Sequence, residues 1–473
     1  MKRKISFLLS GIALVLMAVV TGLATAYLFR YNRTLERQSA KTGQTVEKIE
    51  NQRENLAEEN APDESLEETE QLCSLLTGQE ERIDDGFARW LVNQYPEVCS
   101  RIAEKMQLGD YEPAQWYYET GNSLFVLRDE ANGILDSEVM MGQNLIYRKE
   151  CEKEDYISLS FAGDISATDD YGPGQNYTRE GIDGAFSKDV QQMMKSADIF
   201  MLNNEFCYSN RGTPVPKGYN FRAAPSRVER LEEMGVDIVS IANNHAYDYG
   251  EEAFVDTMDT LNDAGIPYVG GGMDLEDAKN HIVYFIANGM KIGYIAATQV
   301  ERDEPVFTKE ATQSSPGVVR CYEPDVVVEM IRQAKENCDF VVVYPHWGTE
   351  LVTTVQEDQQ ALAYAFIDAG ADVIVGGHPH CLQGAEYYKG VPIFYSLSNF
   401  SFSSKTVNST ILNLRVTIDG IANAQYIPCM ETGGRTHRCE NQDNDYVRII
   451  KLLNDVSVNV YIDEEGTVSE ITG

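Results

Sequence analysis

Four of the six histidines in this 473-residue chain fall just after short runs of β-branched and apolar residues. His245 follows the run 238–241 in Asn243-Asn244-His245-Ala246-Tyr247-Asp248. His346 follows 340–344 in Pro345-His346-Trp347-Gly348-Thr349-Glu350, and His378 and His380 follow Val373–Val375 in Gly376-Gly377-His378-Pro379-His380. Two earlier runs end in oxygen donors instead: 157–161 in Ala162-Gly163-Asp164, and 199–202 in Asn203-Asn204-Glu205. Random placement would put roughly 0.2 of six histidines into such short windows. Imidazole together with carboxylate and amide oxygens suits a divalent transition metal, Mn, Zn or Fe, as one or two ions. Each residue alone has an ordinary reading. An Asp after a strand commonly caps a helix, an Asn serves in turns, and a histidine beside Trp347 can bond a backbone carbonyl. The pair His378 and His380 resists that treatment, because residues two apart in an extended segment point the same way. Jointly these donors define a metal or catalytic site.

Donors spread over more than two hundred residues need a scaffold that gathers them. The run 157–161 is followed by a helical pattern at 184–196, 199–202 by one at 226–234, and 238–241 by one at 251–264. Two further units are 340–344 with 356–369, and Val373–Val375. Such alternation predicts a largely parallel sheet covered by helices, in which loops at the carboxyl ends of the strands share one rim. Hairpin-like pairs at 282–287 with 292–296, 384–388 with 392–395, and 410–418 with 421–427 make the sheet system mixed, or divide it into two packed sheets.

Charge narrows the partners. The chain carries 39 Lys+Arg against 74 Asp+Glu, a net charge of −35, which excludes a general nucleic-acid binder and opposes loose adhesion to anionic surfaces. Against that background Arg211, Lys217, Arg222, Arg227 and Arg230 form a local basic block. Lys217 and Arg222 lie in an irregular stretch and are candidates for contacting an anionic substrate group. Arg227 and Arg230 fall on the expected helix 226–234, with a solvated face as their expected place. Nine cysteines without a CxxC exclude a zinc ribbon and a disulfide-dense scaffold. Cys429 and Cys439 flank a Gly-rich loop and could close a disulfide outside the cytoplasm.

Six ordered blocks resemble the CapA (PgsA) capsule-biosynthesis family, associated with poly-γ-glutamate synthesis. They are Gly163-Asp164, Asn203-x-Glu205, Asn243-Asn244-His245-x-x-Asp248-x-Gly250, His346-Trp347-Gly348-x-Glu350, Gly377-His378-Pro379-His380 and Ser396-Leu397-Ser398-Asn399-Phe400. The segment Lys217-x-x-x-Phe221-Arg222-Ala223-x-Pro225 matches as well, and the resemblance spans roughly 156–402. It implies an α/β, metallophosphatase-like four-layer sandwich of two mixed β-sheets flanked by helices. By analogy Asp164, Asn244, His346, His378 and His380 would be metal ligands, and His245 a general acid or anion stabiliser. Asp248 and Glu205 would join His245 as catalytic groups, and Lys217, Arg222, Glu350 and Asn399 would contact substrate. Ser166 stands where a phosphatase-type Asp-x-His has its histidine, Glu205 stands in place of a Gly-Asp, and Ser398 replaces the glycine of Ser-x-Gly-Asn-Phe. The implied role is a metal-dependent hydrolase or transferase acting on an anionic capsule polymer such as poly-γ-glutamate, or on its anchor, beside membrane synthase and export subunits. The alternatives are a non-catalytic assembly or export subunit of such a synthase, and a metallophosphoesterase acting on small phosphoesters.

Lys2, Arg3 and Lys4 precede an uncharged, mostly apolar run at 5–29, and Arg30 and Arg33 follow it. About 25 residues at roughly 1.5 Å each span a hydrocarbon core of about 30 Å. Residues 1–33 therefore read as an uncleaved signal anchor, a single membrane pass that leaves the bulk of the chain outside the cytoplasm. Ala24-Thr25-Ala26 resembles a cleavage site, so a cleaved signal peptide is the rival. Residues 34–86 hold 15 Asp+Glu against 5 Lys+Arg and read as an acidic stalk. Residues 87–155 suggest a small α+β module, 156–430 the main domain, and 431–473 a C-terminal extension packing on it.

Overall fold

A computed structural model describes residues 145–471 apart from 152, 154 and 303–305. The expected anchor at 5–29, the acidic stalk and nearly all of the module at 87–155 lie outside the described residues. Within them, no helix is long and apolar enough to cross a membrane.

The chain opens with β1 (Ile146–Arg148) and β2 (Ile157–Ile165), then α1 (Gly172–Glu180), α2 (Ile182–Ala185) and α3 (Lys188–Ser196). β3 (Ile199–Asn204) leads to two short strands, β4 (Cys207–Tyr208) and β5 (Arg222–Ala223), then α4 (Glu229–Met234) and β6 (Ile238–Ser240). Next come α5 (Glu251–Ala264), β7 (Tyr268–Val269), β8 (Gly271–Gly272) and α6 (Leu275–Asn280). The hairpin β9 (Val283–Ala287) and β10 (Met290–Thr298) is followed by β11 (Gly317–Val318), α7 (Asp325–Lys335), β12 (Phe340–His346) and α8 (Glu357–Ala369). β13 (Val373–Val375), β14 (Ala385–Tyr388), β15 (Val391–Phe394) and β16 (Asn399–Ser401) precede the long hairpin β17 (Val407–Thr417) and β18 (Gly420–Thr432). β19 (Arg435–Arg438), α9 (Asn444–Val456), β20 (Val460–Ile462) and β21 (Val468–Glu470) complete it.

Two large mixed sheets result. The first runs β1-β9-β10-β12-β13-β15-β14; the second runs β19-β18-β17-β2-β3-β6-β7, with β16 pairing on β2. Their parallel centres are β10-β12-β13-β15 and β2-β3-β6-β7. Strands covered on both faces need continuous apolar runs, and β3 and β12 are buried at every position. Phe161, Met201, Tyr294, Tyr344 and Leu412 meet between the sheets. Val190, Leu231, Phe254 and Leu261 from α3, α4 and α5 pack on the outer face of the second sheet. Met330, Ile331 and Phe366 from α7 and α8 pack on the first. The order is therefore helices, sheet, sheet, helices, as expected. Each fully buried side chain of this size is worth about 1.5–3 kcal/mol.

Local differences have physical causes. The expected helix 184–196 is two helices, because Phe186 stays extended and bridges to Thr436. α7 is absent from the sequence reading; it opens on Val326-Val327-Val328, strand-type residues whose helical spacing to Met330, Ile331 and Ala334 wins through packing. β1 precedes Tyr156 and β18 crosses position 430, so neither expected boundary coincides with a break in the sheets. The suggested Cys429–Cys439 disulfide is absent and both thiols are free. Cys429 faces the outer helical layer and Cys439 the core between the sheets, so they lie on opposite faces.

Candidate metal centre

The carboxyl ends of the parallel strands bring the donors together. Asp164 lies on β2 and Asn203 on β3, with Glu205 one residue beyond it; His346 ends β12. Asn244 and His245 follow β6, His378 and His380 follow β13, and Asn399 opens β16.

Glu205 is central and fully buried, with Oε1 3.7 Å from His346 Nε2, 3.9 Å from His380 Nε2 and 3.9 Å from His245 Nε2. His346 Nε2 lies 2.9 Å from Asn244 Oδ1 and 3.1 Å from His378 Nδ1. Asp164 Oδ2 lies 3.5 Å from His380 Nδ1 and accepts the His378 N–H at 3.2 Å. Two triads emerge, Glu205–His346–His378 and Asp164–Glu205–His380, each with ligand atoms within 4.8 Å of one another. Donors bound at about 2.1 Å to one tetrahedral ion sit about 3.4 Å apart, and the separations here run from 2.9 to 3.9 Å. Glu205 Oε1 is buried without a hydrogen-bond partner, a situation that costs about 1–3 kcal/mol or more for a charged group. A divalent cation satisfies that oxygen and the facing imidazole nitrogens together, so the residues fit the ion.

Burial, then the neighbouring imidazoles, hold His346 and His378 well below the usual histidine range. Burial, then the charge of Asp164, pushes Glu205 well above the usual carboxylate range. For His380 burial acts downward, but Glu205, Asp164 and the bond to Asn399 prevail and raise it to about 10.

The extended geometry expected for 378–380 is not what places the two rings. His378 has φ 97° and His380 φ 53°, both left-handed. Such backbone costs about 1–3 kcal/mol per residue and persists where surroundings over-determine it. Here Gly377 permits the approach, since a Cβ there would lie 2.8 Å from Asp164 Oδ1.

His245 stands beside the ligand set. Its Nδ1 lies 2.7 Å from Asp248 Oδ2, which also accepts the Phe221 N–H at 2.6 Å. Lys217 Nζ pairs with Asp248 Oδ1 at 2.6 Å and donates to the Asn244 carbonyl at 2.6 Å. Burial lowers the His245 pKa, partly offset by Asp248.

Asp164, Asn244, His346, His378 and His380 thus lie together. Glu205, expected to be catalytic, sits within the ligand set, and Asp248 stands behind His245 as its partner. Lys217 is matched to Asp248 and is not a free anion-binding cation. Arg222 points elsewhere: its guanidinium lies 3.9 Å over the Tyr249 ring and donates to the Arg211 carbonyl at 3.0 Å. Glu350 is exposed in the loop after β12. Asn399 Oδ1 lies 2.7 Å from His380 Nδ1 and orients that ring. The solvated face expected for Arg227 and Arg230 fails for Arg230, which is 2% exposed, whereas Arg227 stays partly exposed; both bond Asp169 at 2.7 Å. Ser166 is buried with Oγ 3.4 Å from Thr168 Oγ1, outside both triads.

Sequence reasoning missed the supporting groups. Asn203 donates to Asp164 Oδ1 at 2.8 Å, Asn243 Nδ2 donates to Asn203 Oδ1 at 3.1 Å, and Thr308 Oγ1 donates to the Asn244 carbonyl at 2.9 Å. The Asn203-Asn204 and Asn243-Asn244 doublets were a usable signal; Thr308, in an irregular stretch, offered none.

These features define a two-sheet α/β protein with a buried Asp/Glu/His cluster that could hold a divalent metal. Residues 158–404, just over half the chain, match the family model described as bacterial capsule synthesis protein PGA_cap. The chain belongs to that family. It is 33% identical over 284 residues to the PGA biosynthesis protein CapA of Bacillus subtilis (strain 168), covering 58% of this chain and 72% of that protein. It is 37% identical over 247 residues to the capsule biosynthesis protein CapA of Bacillus anthracis, covering 48% of this chain and 59% of that protein. The crystal structure of 5'-nucleotidase from Candida albicans SC5314 overlaps 59% of this chain and 53% of its own, at 12% identity and a TM-score of 0.32. A likeness that slight carries no argument.

Proposed function

We propose that this chain is a membrane-anchored, extracytoplasmic protein of capsule poly-γ-glutamate biosynthesis whose buried centre acts as a metal-dependent hydrolase or transferase on the polymer or its anchor. The observation that carries the catalytic part is His245, whose Nδ1 is engaged by Asp248 while Nε2 faces Glu205 at 3.9 Å. A divalent ion held by Asp164, Glu205, Asn244, His346, His378 and His380 would supply Lewis-acid polarisation and offset developing negative charge. With Nδ1–H donated to Asp248, His245 holds an open Nε2 that can accept a proton and return it. Lys217 and the Phe221 N–H fix Asp248, and Phe221 covers the His245 ring at 4.3 Å. Solvent approaches at His380, whose side chain is 15% exposed.

The basic block does not supply a free anion-binding patch. Arg211 pairs with Asp256, Lys217 with Asp248, and Arg227 and Arg230 with Asp169. An anionic substrate group would therefore be met by the metal centre itself. The pairing of four of these five cations, with Ser166 in place of a histidine, favours a second reading, an assembly or export subunit that keeps the centre for binding.

His245→Gln separates the two. In cells carrying it as the only copy, turnover should drop about 10²–10⁴-fold, the usual worth of general acid–base catalysis, with metal content unchanged. Normal polymer at normal protein and metal levels would move the assignment to the assembly subunit. For the anchor, motivated by the run at 5–29, mass spectrometry of the membrane-associated protein should find residues before Ala26. A homogeneous start at Tyr27 would mean a cleaved signal.

A further inference from the structure

Glu431 lies near the end of β18, beyond the residues that the family model matches. It is fully buried, and Oε1 accepts the backbone N–H of Phe402 at 2.7 Å and of Ser403 at 2.8 Å. Burying a carboxyl is expensive without compensation; here burial pushes it up to about 7, with those two donors acting against the shift. The chemistry proposed above makes no use of this group.

What Glu431 holds is the back of the metal centre. The Phe402 ring lies 4.7 Å from that of His380 and 5.2 Å from Phe221, which lies 4.3 Å from His245. The same short segment carries Asn399, whose Oδ1 is 2.7 Å from His380 Nδ1. His380 is therefore packed by Phe402 and oriented by Asn399. The segment is tied at its end by Glu431, and at the Phe400 carbonyl by the Thr436 hydroxyl.

We infer that Glu431 is a positioning residue which, by anchoring the Phe402–Ser403 backbone, fixes the ring of His380 for metal binding. Partners behind a ligating histidine orient its ring, and their loss typically lowers metal affinity 10–100-fold. The inference rests on the reading of the cluster as a metal centre, so its test needs one readout that involves no metal.

In the full-length protein, Glu431→Ala and Phe402→Ala should each weaken Mn²⁺ or Zn²⁺ binding about tenfold or more. Glu431→Gln, which keeps an oxygen acceptor for both N–H groups, should stay within about threefold of wild type. The metal-free readout is deuterium exchange at the imidazole C2 positions mapped by mass spectrometry, which proceeds through the protonated ring that His380 carries. His380 should exchange several-fold faster in Glu431→Ala and Phe402→Ala, with exposed His437 unchanged and buried His346 still protected. Should Glu431→Ala not fold, seen as loss of His346 protection, Phe402→Ala decides alone. Unchanged His380 exchange in the folded variants would overturn the inference, as would Glu431→Gln behaving like Glu431→Ala. A wild-type protein that binds neither metal would instead refute the metal centre, and the His380 exchange rates would still decide the role of Glu431.

Discussion

At the residue scale, the imidazoles of the centre titrate in opposite senses. His346 and His378 are held well below their ordinary range by burial, so the folded protein keeps them neutral while the unfolded chain takes up protons below about pH 6.5. Where the unfolded state binds more protons, stability rises with pH. Their contribution is thus complete above about pH 6.5 and is lost as pH falls. His380, raised to about 10, behaves oppositely: its contribution is present below about pH 6.5 and fades toward pH 10. Glu205, raised by burial and Asp164, and Glu431, raised by burial, also favour the acid side, so the net slope is a balance and single substitutions isolate each share. The pH 5 to pH 7 difference in urea unfolding with chelator present should contain a part favouring pH 7, worth up to about 2 kcal/mol for each suppressed histidine. His346→Asn should remove its share of that difference, favouring pH 5 relative to wild type. A variant slope equal to wild type would mean that His346 is not held neutral in the fold.

At the scale of elements, the centre depends on how closely β16 docks on β2. A Cβ at Gly163 would lie 1.7 Å from the Ser398 carbonyl, which accepts the Asp164 N–H at 3.0 Å. That approach holds Asp164 in line with Asn399. Ser398 makes the turn at φ 67°, and its buried hydroxyl has no hydrogen-bond partner among the described residues. A left-handed L-residue costs about 1–2 kcal/mol and an unsatisfied buried hydroxyl about 1–3 kcal/mol. Glycine's larger unfolded-state entropy takes back about 0.5–1 kcal/mol. Ser398→Gly should therefore raise stability by at least about 1 kcal/mol and the melting temperature by at least about 2 °C. A lower melting temperature would mean that the hydroxyl has a partner of its own. Ser398 also marks where legibility ended. A departure from a glycine pattern was readable, but the strain it creates depends on a strand two hundred residues earlier. Strand-end donors were legible because β-branched runs stop abruptly at them. α7 was not, because its first residues carry strand propensity, and Phe402 and Glu431 were not, because only the sheet register brings them to His380.

At the scale of the whole molecule, two mixed sheets gather onto one centre side chains that span Asp164 to Asn399 in the chain. The C-terminal segment belongs to the same structure: β19 extends the second sheet, and α9 sends Tyr446, Ile449 and Leu453 into the core between the sheets. Every role argued for the protein passes through the buried Asp/Glu/His cluster, so the most direct measurement is metal content. Purified full-length protein, equilibrated with Mn²⁺ or Zn²⁺ and freed of excess ion, should retain at least one ion per chain. An excess of about a hundredfold over Kd should add about 2.7 kcal/mol of stability. His378→Ala should lose both the ion and the stabilisation, whereas His281→Ala and His437→Ala should keep them. Wild-type protein that retains no divalent metal, or His378→Ala protein that retains as much as wild type, would contradict the account.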